Sequence, residues 1–241
     1  YVYSANNQPD SIAGMLYPGY YLPENRAKRI VQLLDAKDDW DKESFSDMIL
    51  DVTSPVNTNL VTELIKLFDV SHLSTEQLVQ VDSLKNWNGA YTLNSTIPTL
   101  YHRCEYYMAK NTMEDELGPE MFDEFLGTHL FKRQIAWGAK MENAKWWDNV
   151  NTKDVVETRK DIVIKSFADA WQSLVKDLGP DPSQWTWDKV HTLEHQHPFG
   201  KVESLRKYFN VGPFPVEGTR EVINNLSFPY DSTGYYKVSS G

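Results

Sequence analysis

Apolar and polar positions change rhythm twice along this chain. Tyr1-Val2-Tyr3-Ser4-Ala5 alternates as a short strand does and runs into the loop Asn6-Asn7-Gln8-Pro9. Helical spacing then takes over. Pro23 and Glu24 suit a first turn, and Ala27, Ile30, Val31 and Leu34 follow on one face. A second amphipathic segment spans about 56–68, with Leu60, Leu64, Leu67 and Phe68 on one side. Ser74 followed by Gln77 makes a capping box, which opens a helix with Leu78, Val81 and Leu84 inward. Trp87-Asn88-Gly89 breaks it. Further helices are expected over 95–116, around Pro98, and over 119–131. The clearest helix covers 152–178, where Val155, Ile162, Phe167, Ala170, Trp171, Leu174 and Leu178 form a stripe ended by Gly179-Pro180. From Trp185 the texture returns to β: Trp185-Thr186-Trp187, 221–224 and the last residues, 234–241, read as strands between Pro- and Gly-rich loops.

This pattern predicts an α+β whole that is mostly helical. A core strand and loop occupy 1–22, a helical insertion 23–183, and a return to the β core 184–241. The chain opens without an initiator Met in an apparent strand and stops in another, so it reads as a piece of a larger protein.

Composition narrows the field. A formal charge of −10 with no basic stripe argues against a nucleic-acid partner. No apolar run approaches the ~20 residues that span a bilayer, which argues against a membrane partner. Cys104 is the sole cysteine, so no disulfide forms within these residues. The eight Trp, thirteen Tyr and ten Phe serve first as core anchors.

Seven segments in order resemble the penicillin amidase family of N-terminal-nucleophile hydrolases, which includes penicillin, cephalosporin and acyl-homoserine-lactone acylases. They are Ser4-Ala5-Asn6-Asn7-Gln8-Pro9, Asn25-Arg26-Ala27-Lys28-Arg29-Ile30, Leu84-Lys85-Asn86-Trp87-Asn88-Gly89, Trp146-Trp147-Asp148, Glu157-Thr158-Arg159, Trp185-Thr186-Trp187-Asp188-Lys189-Val190-His191 with His197-Pro198, and Gly218-Thr219-Arg220-Glu221-Val222-Ile223-Asn224. The resemblance implies an αββα sandwich with a helical elaboration, of which this chain supplies a middle part of the large (β) subunit. It implies cleavage of linear acyl amides through an acyl-enzyme on an N-terminal Ser, exposed by autocatalytic processing. Residue 1 here is Tyr, so these residues alone are expected to be inactive. The implied partners are the rest of the β subunit, the α subunit of the same precursor and a small acyl-amide substrate. The implied location is periplasmic or secreted.

Two site residues come with the resemblance. Asn6 matches the family's oxyanion-stabilising Asn, and a strand-end amide is a suitable donor for such a charge. Read by itself, Asn-Asn-x-Pro is a turn in which the side chain bonds its own backbone, the role assigned to Asn7. Arg26 matches an arginine that orients the surroundings of the nucleophile; read by itself it is a helix-surface partner for Glu24 or another acid. Arg29 reads as structural. The family's calcium site takes one carboxylate from the intervening loop, and that position falls here on Met15, which cannot ligate a hard cation, with Asp10 out of register. No cofactor is expected in these residues, and calcium in the parent protein would rest on ligands elsewhere.

His191, Glu194, His195 and His197 are the one cluster with a metal-like composition, since 191, 195 and 197 share a strand face. Their spacing matches no zinc signature, so loop and core hydrogen bonding is the expected role. Asp38-Asp39 with Asp41, and Glu114-Asp115-Glu116, read as solvated helix ends. A reading of another class stands beside the acylase: a helical, aromatic-rich binding or scaffolding module without chemistry.

Overall fold

Two long helices, α5 (Ile97–Leu117) and α8 (Arg159–Leu178), pack along each other at the centre of the fold. The structure, a computed structural model, comprises residues 1–240 apart from Ile12, with the side chains of Lys132, Ser239 and Ser240 excepted. Around the central pair stand α1 (Asn25–Asp35), α2 (Lys42–Ile49), α3 (Pro55–Ile65), α4 (Thr75–Lys85), α6 (Pro119–Leu126), α7 (His129–Gly138) and α9 (Glu203–Phe209). A small sheet of β1 (His191–His195), β2 (Val211–Pro215) and β3 (Tyr236–Ser240) lies beyond them in the order β2-β1-β3. β1 pairs antiparallel with β2 and parallel with β3. The chain is α+β and mostly helical, as its pattern predicts.

Local chemistry explains most boundaries. Ser74 and Gln77 form the expected reciprocal box at α4, although Leu78 is exposed and only Val81 and Leu84 are buried. Gly89 then adopts φ +82°, and a Cβ there would lie 2.4 Å from the Ser54 carbonyl oxygen, so the Trp87-Asn88-Gly89 break requires glycine. Asp41 is not merely solvated: it caps α2 in a box with Ser44. Asp115 likewise accepts from the Val150 amide at 2.8 Å.

Several expectations fail for identifiable reasons. The helix expected from 152 starts at Arg159, because Thr158 and Asp161 cap it there. Upstream, Thr152 and Asp148 tie up the Glu157 side chain and amide in a turn, a local competitor of helix. The 119–131 segment divides at Gly127-Thr128 into α6 and α7. Residues 1–5 form no strand; one parallel bridge, Asn7 to Leu22, replaces it, and Val2 is fully exposed. A strand needs a partner edge, and none among the described residues flanks this segment. Trp185-Thr186-Trp187 and 221–224 are turns and single-turn helices, not strands. Both Trp side chains are wholly buried because their indole N–H groups find carbonyls, Gly179 for Trp185 at 2.9 Å and Gly218 for Trp187 at 3.0 Å. The expected final strand is present as β3; Gly241 lies outside the described residues.

Two buried polar groups anchor this core. Arg103 on α5, 2% exposed, donates to Asp177 of α8 at 2.6 Å, to Ser173, and to the Gly234 carbonyl at 3.2 Å. His191 on β1 stacks on Trp187 at 4.7 Å and donates from Nδ1 to the Val216 carbonyl at 2.8 Å. Burial pushes this imidazole down to about 4.

Two outcomes follow. Asp177→Ala should cost about 3–5 kcal/mol of stability in denaturant unfolding, because it strands a buried charge. Below pH ~6.5 the unfolded chain takes up a proton at residue 191 that the folded chain refuses until about 4. Stability should therefore fall as the pH drops through that window, by on the order of 3 kcal/mol in full. His191→Phe should flatten the slope; an unchanged slope would rule the imidazole out as its source.

Candidate functional site

The segment that leads from Ala5 to the start of α1 is held by two guanidiniums, Arg26 at its beginning and Arg133, which donates to the Tyr21 carbonyl, at its end. Arg26 donates from Nη2 to the Ala5 carbonyl and to Asn6 Oδ1, both at 3.0 Å. Arginine has donors and no acceptor, so the Asn6 amide must turn its oxygen toward Arg26. Its NH2 group is thereby turned away, and no described residue accepts from it. Asn6 itself sits at φ 59°, the left-handed region that Asn tolerates better than most residues. The Asn6 carbonyl accepts from the Leu22 amide at 2.8 Å, which closes the loop.

The neighbours take the plainer roles. Asn7 Oδ1 accepts from the Ala5 amide at 3.2 Å, the side chain-to-backbone bond of a turn residue. Glu24 pairs with Lys28 at 2.9 Å rather than with Arg26. Arg29 makes a bidentate pair with Asp51 at 3.0 and 2.7 Å, joining α1 to the segment before α3. A shallow cleft of about 430 Å³, lined by Tyr3, Asn7, Gln8, Ala27 and Val56, lies beside the loop. Asn6 is exposed and does not line this cleft.

Metal binding finds no support in the residues present. Met15 is 72% exposed, and among the described residues no three His, Cys, Asp or Glu side chains converge as ligands. The implied calcium does not fit here, since the thioether of Met15 offers no oxygen ligand. The 191–197 cluster is dispersed: His191 is buried against Trp187, Glu194 holds Arg206 at 2.9 and 3.0 Å, and His197 Nδ1 accepts from the Phe199 amide. Burial pushes the Cys104 thiol up to about 12, which makes it a packing residue rather than a nucleophile.

A second constellation was not singled out in the sequence. His102 and Glu105, one turn apart on α5, meet Thr219, Arg220 and Tyr230 from the far end of the chain. His102 Nδ1 lies 2.8 Å from Glu105 Oε2, and Nε2 lies 3.1 Å from Thr219 Oγ1. Tyr230 Oη also donates to Glu105. Burial depresses His102, and the pull of Glu105 does not overcome it. Burial would raise Glu105, but the bonds from His102 and Tyr230 hold it below its ordinary range. The pair is thus a neutral imidazole and a carboxylate. Hydroxyl, imidazole and carboxylate stand in the order of a nucleophile relay. However, Thr219 is fully buried and the imidazole stacks on Trp187 at 5.2 Å, so the network serves to satisfy core polar groups. The i,i+3 His/Glu pair on an expected helix was the available signal.

The penicillin amidase family model matches residues 1–241. The chain belongs to the penicillin amidase family. Two curated relatives, both acyl-homoserine lactone acylases QuiP, come from Pseudomonas aeruginosa and Pseudomonas putida. The first is 25% identical over 237 residues, covering 85% of this chain and 27% of the relative; the second is 25% identical over 234, covering 88% and 28%. The chain therefore spans about a quarter of the length of these penicillin amidase relatives.

Arg26→Ala should free the loop without unfolding the core. Hydrogen exchange of the Leu22 amide should accelerate roughly tenfold or more, in keeping with loss of charged hydrogen bonds, while the Tyr91 amide in the core stays protected. Equal acceleration at both would mean that Arg26 supports the whole fold.

Proposed function

We propose that this chain is part of an amidohydrolase that cleaves linear acyl amides, and that Asn6 supplies a side-chain N–H to the oxyanion of the tetrahedral intermediate. The observation that carries this reading is the Arg26–Asn6 contact, because it orients the amide before any substrate arrives. Preorganised donors cost no reorientation at the moment when charge develops on the carbonyl oxygen. Arg26 acts through Asn6 as a positioning residue, and its charge adds favourable potential at the same place.

The nucleophile of this chemistry is an N-terminal Ser, activated by its own α-amino group. It would reside on another segment, since the chain covers only about a quarter of its curated relatives. The helical block and small sheet would then elaborate a larger αββα sandwich, with the remaining β-subunit segments and an α subunit as partners in an exported enzyme. Membership of the penicillin amidase family and the names of the two relatives support acyl-amide cleavage; neither specifies the acyl chain.

N-terminal sequencing and intact mass of the whole gene product test this reading, alongside Asn6→Gly. Glycine keeps the left-handed bend and removes only the amide. The expected result is a processed chain that begins with Ser, Thr or Cys. Asn6→Gly should lower kcat on acyl p-nitroanilides by about 10²–10³ with little change in KM. A single uncut, inactive chain would favour a binding module, and an Asn6→Gly protein with full activity would remove Asn6 from the oxyanion site.

A further inference from the structure

We propose that the cavity between α1, α3, α5, α7 and the 219–221 turn binds a small organic monocarboxylate on Arg220. This site is separate from Asn6 and does not rest on the acylase reading. The cavity measures about 420 Å³, room for a ligand of roughly ten heavy atoms.

Arg220 is the reason. It is 6% exposed, and its guanidinium carbon lies 4.8 Å from the Tyr230 ring centre and 5.4 Å from that of Phe131. The rings support the charge from the side. They accept none of its five N–H donors in the plane. The nearest carboxylate contact is Glu221 Oε1, 3.9 Å from Nε, too long for a hydrogen bond. Glu105, the other acid of that wall, is already held by His102 and Tyr230. Among the described residues the guanidinium makes no hydrogen bond, although it lines an open cavity. Its donors face the cavity without a bidentate acceptor, and a carboxylate is the group whose two oxygens match them.

The surroundings select the ligand further. Lys28, Arg133, Lys140 and Arg220 line the cavity against Glu24, Glu105 and Glu221, a local excess of positive charge in a chain of net charge −10. Lys28 is engaged by Glu24, whereas Lys140 at the rim has no ion pair among the described residues. The nearness of Glu105 and Glu221 disfavours a dianion, which argues against phosphate. Val56, Leu60, Ile135 and Tyr101 offer an apolar wall to an acyl or aryl tail.

Titration calorimetry with hexanoate tests the proposal. The expected result is saturable one-to-one binding, at least tenfold weaker for the neutral hexanamide and for Arg220→Gln. Because Arg220 is buried, Lys140→Glu provides a variant on an exposed position; it should weaken hexanoate several-fold with an unchanged circular dichroism spectrum. Asn6→Gly should bind hexanoate as the parent does. The proposal is overturned by no saturable heat up to about 10 mM hexanoate, by hexanamide or inorganic phosphate binding as tightly, by a Lys140→Glu protein of unchanged affinity, or by loss of binding in Asn6→Gly. That last result would assign the ligand to the Asn6 site and leave the acylase reading intact.

Discussion

A helix that is buried on nearly every side must settle its polar side chains inside the protein, and α5 imposes this requirement on its neighbours. His102, Arg103 and Thr112 are all buried along it. Unpaired, each would cost on the order of 1–3 kcal/mol, and the charged one more. The other elements lie where they can answer: α8 brings Asp177 and Ser173 to Arg103, the 219–221 turn brings Thr219 to His102, and Tyr230 closes on Glu105. Apolar burial holds the helices together, but these bonds decide which of the later segments sit on which turn of α5.

Aromatic rings extend that scheme to the sheet. Trp187 lies between His102 and His191, with interplanar angles of 20° and 23°, and Tyr236 at the start of β3 packs on the same ring. A single indole therefore links the central helix, β1 and β3. Its amide donates to the Ser95 carbonyl just ahead of α5, so the stack and the helix start are built together. The three-stranded sheet is small, and much of its attachment to the helices passes through this one side chain.

The helices were legible because their signals are local. The capping box of α4, Pro98 in the first turn of α5 and Gly179 after α8 mark ends by chemistry that acts within a few residues. Sheet residues were less legible. Trp185 and Trp187 have β-favouring side chains, yet their indoles bond carbonyls outside any strand, Gly179 nearby and Gly218 far along the chain, and β2 is an exposed Pro- and Gly-containing edge that carries no alternation. At the candidate site, Asn6 and Arg26 were named through the resemblance, and their direct contact appears only once the loop is folded. The Arg220 cavity was hidden for the opposite reason: its walls come from five separate stretches, and no window of sequence holds more than a fraction of it.

Gly234 carries a consequence for how the molecule is made. It sits at φ +68°, and a Cβ there would meet the Arg103 guanidinium at about 2 Å, so both the bend and the close approach require glycine. Its carbonyl completes the bonds of a charge that left the ribosome 131 residues earlier. Until then Arg103 can reach Asp177 and Ser173 alone, and α5 stays partly open to water on the side that β3 will cover. A chain that folds as it emerges can therefore pair α5 with α8 before the 234 turn is available, and Tyr236 reaches His102 and Trp187 only after that turn.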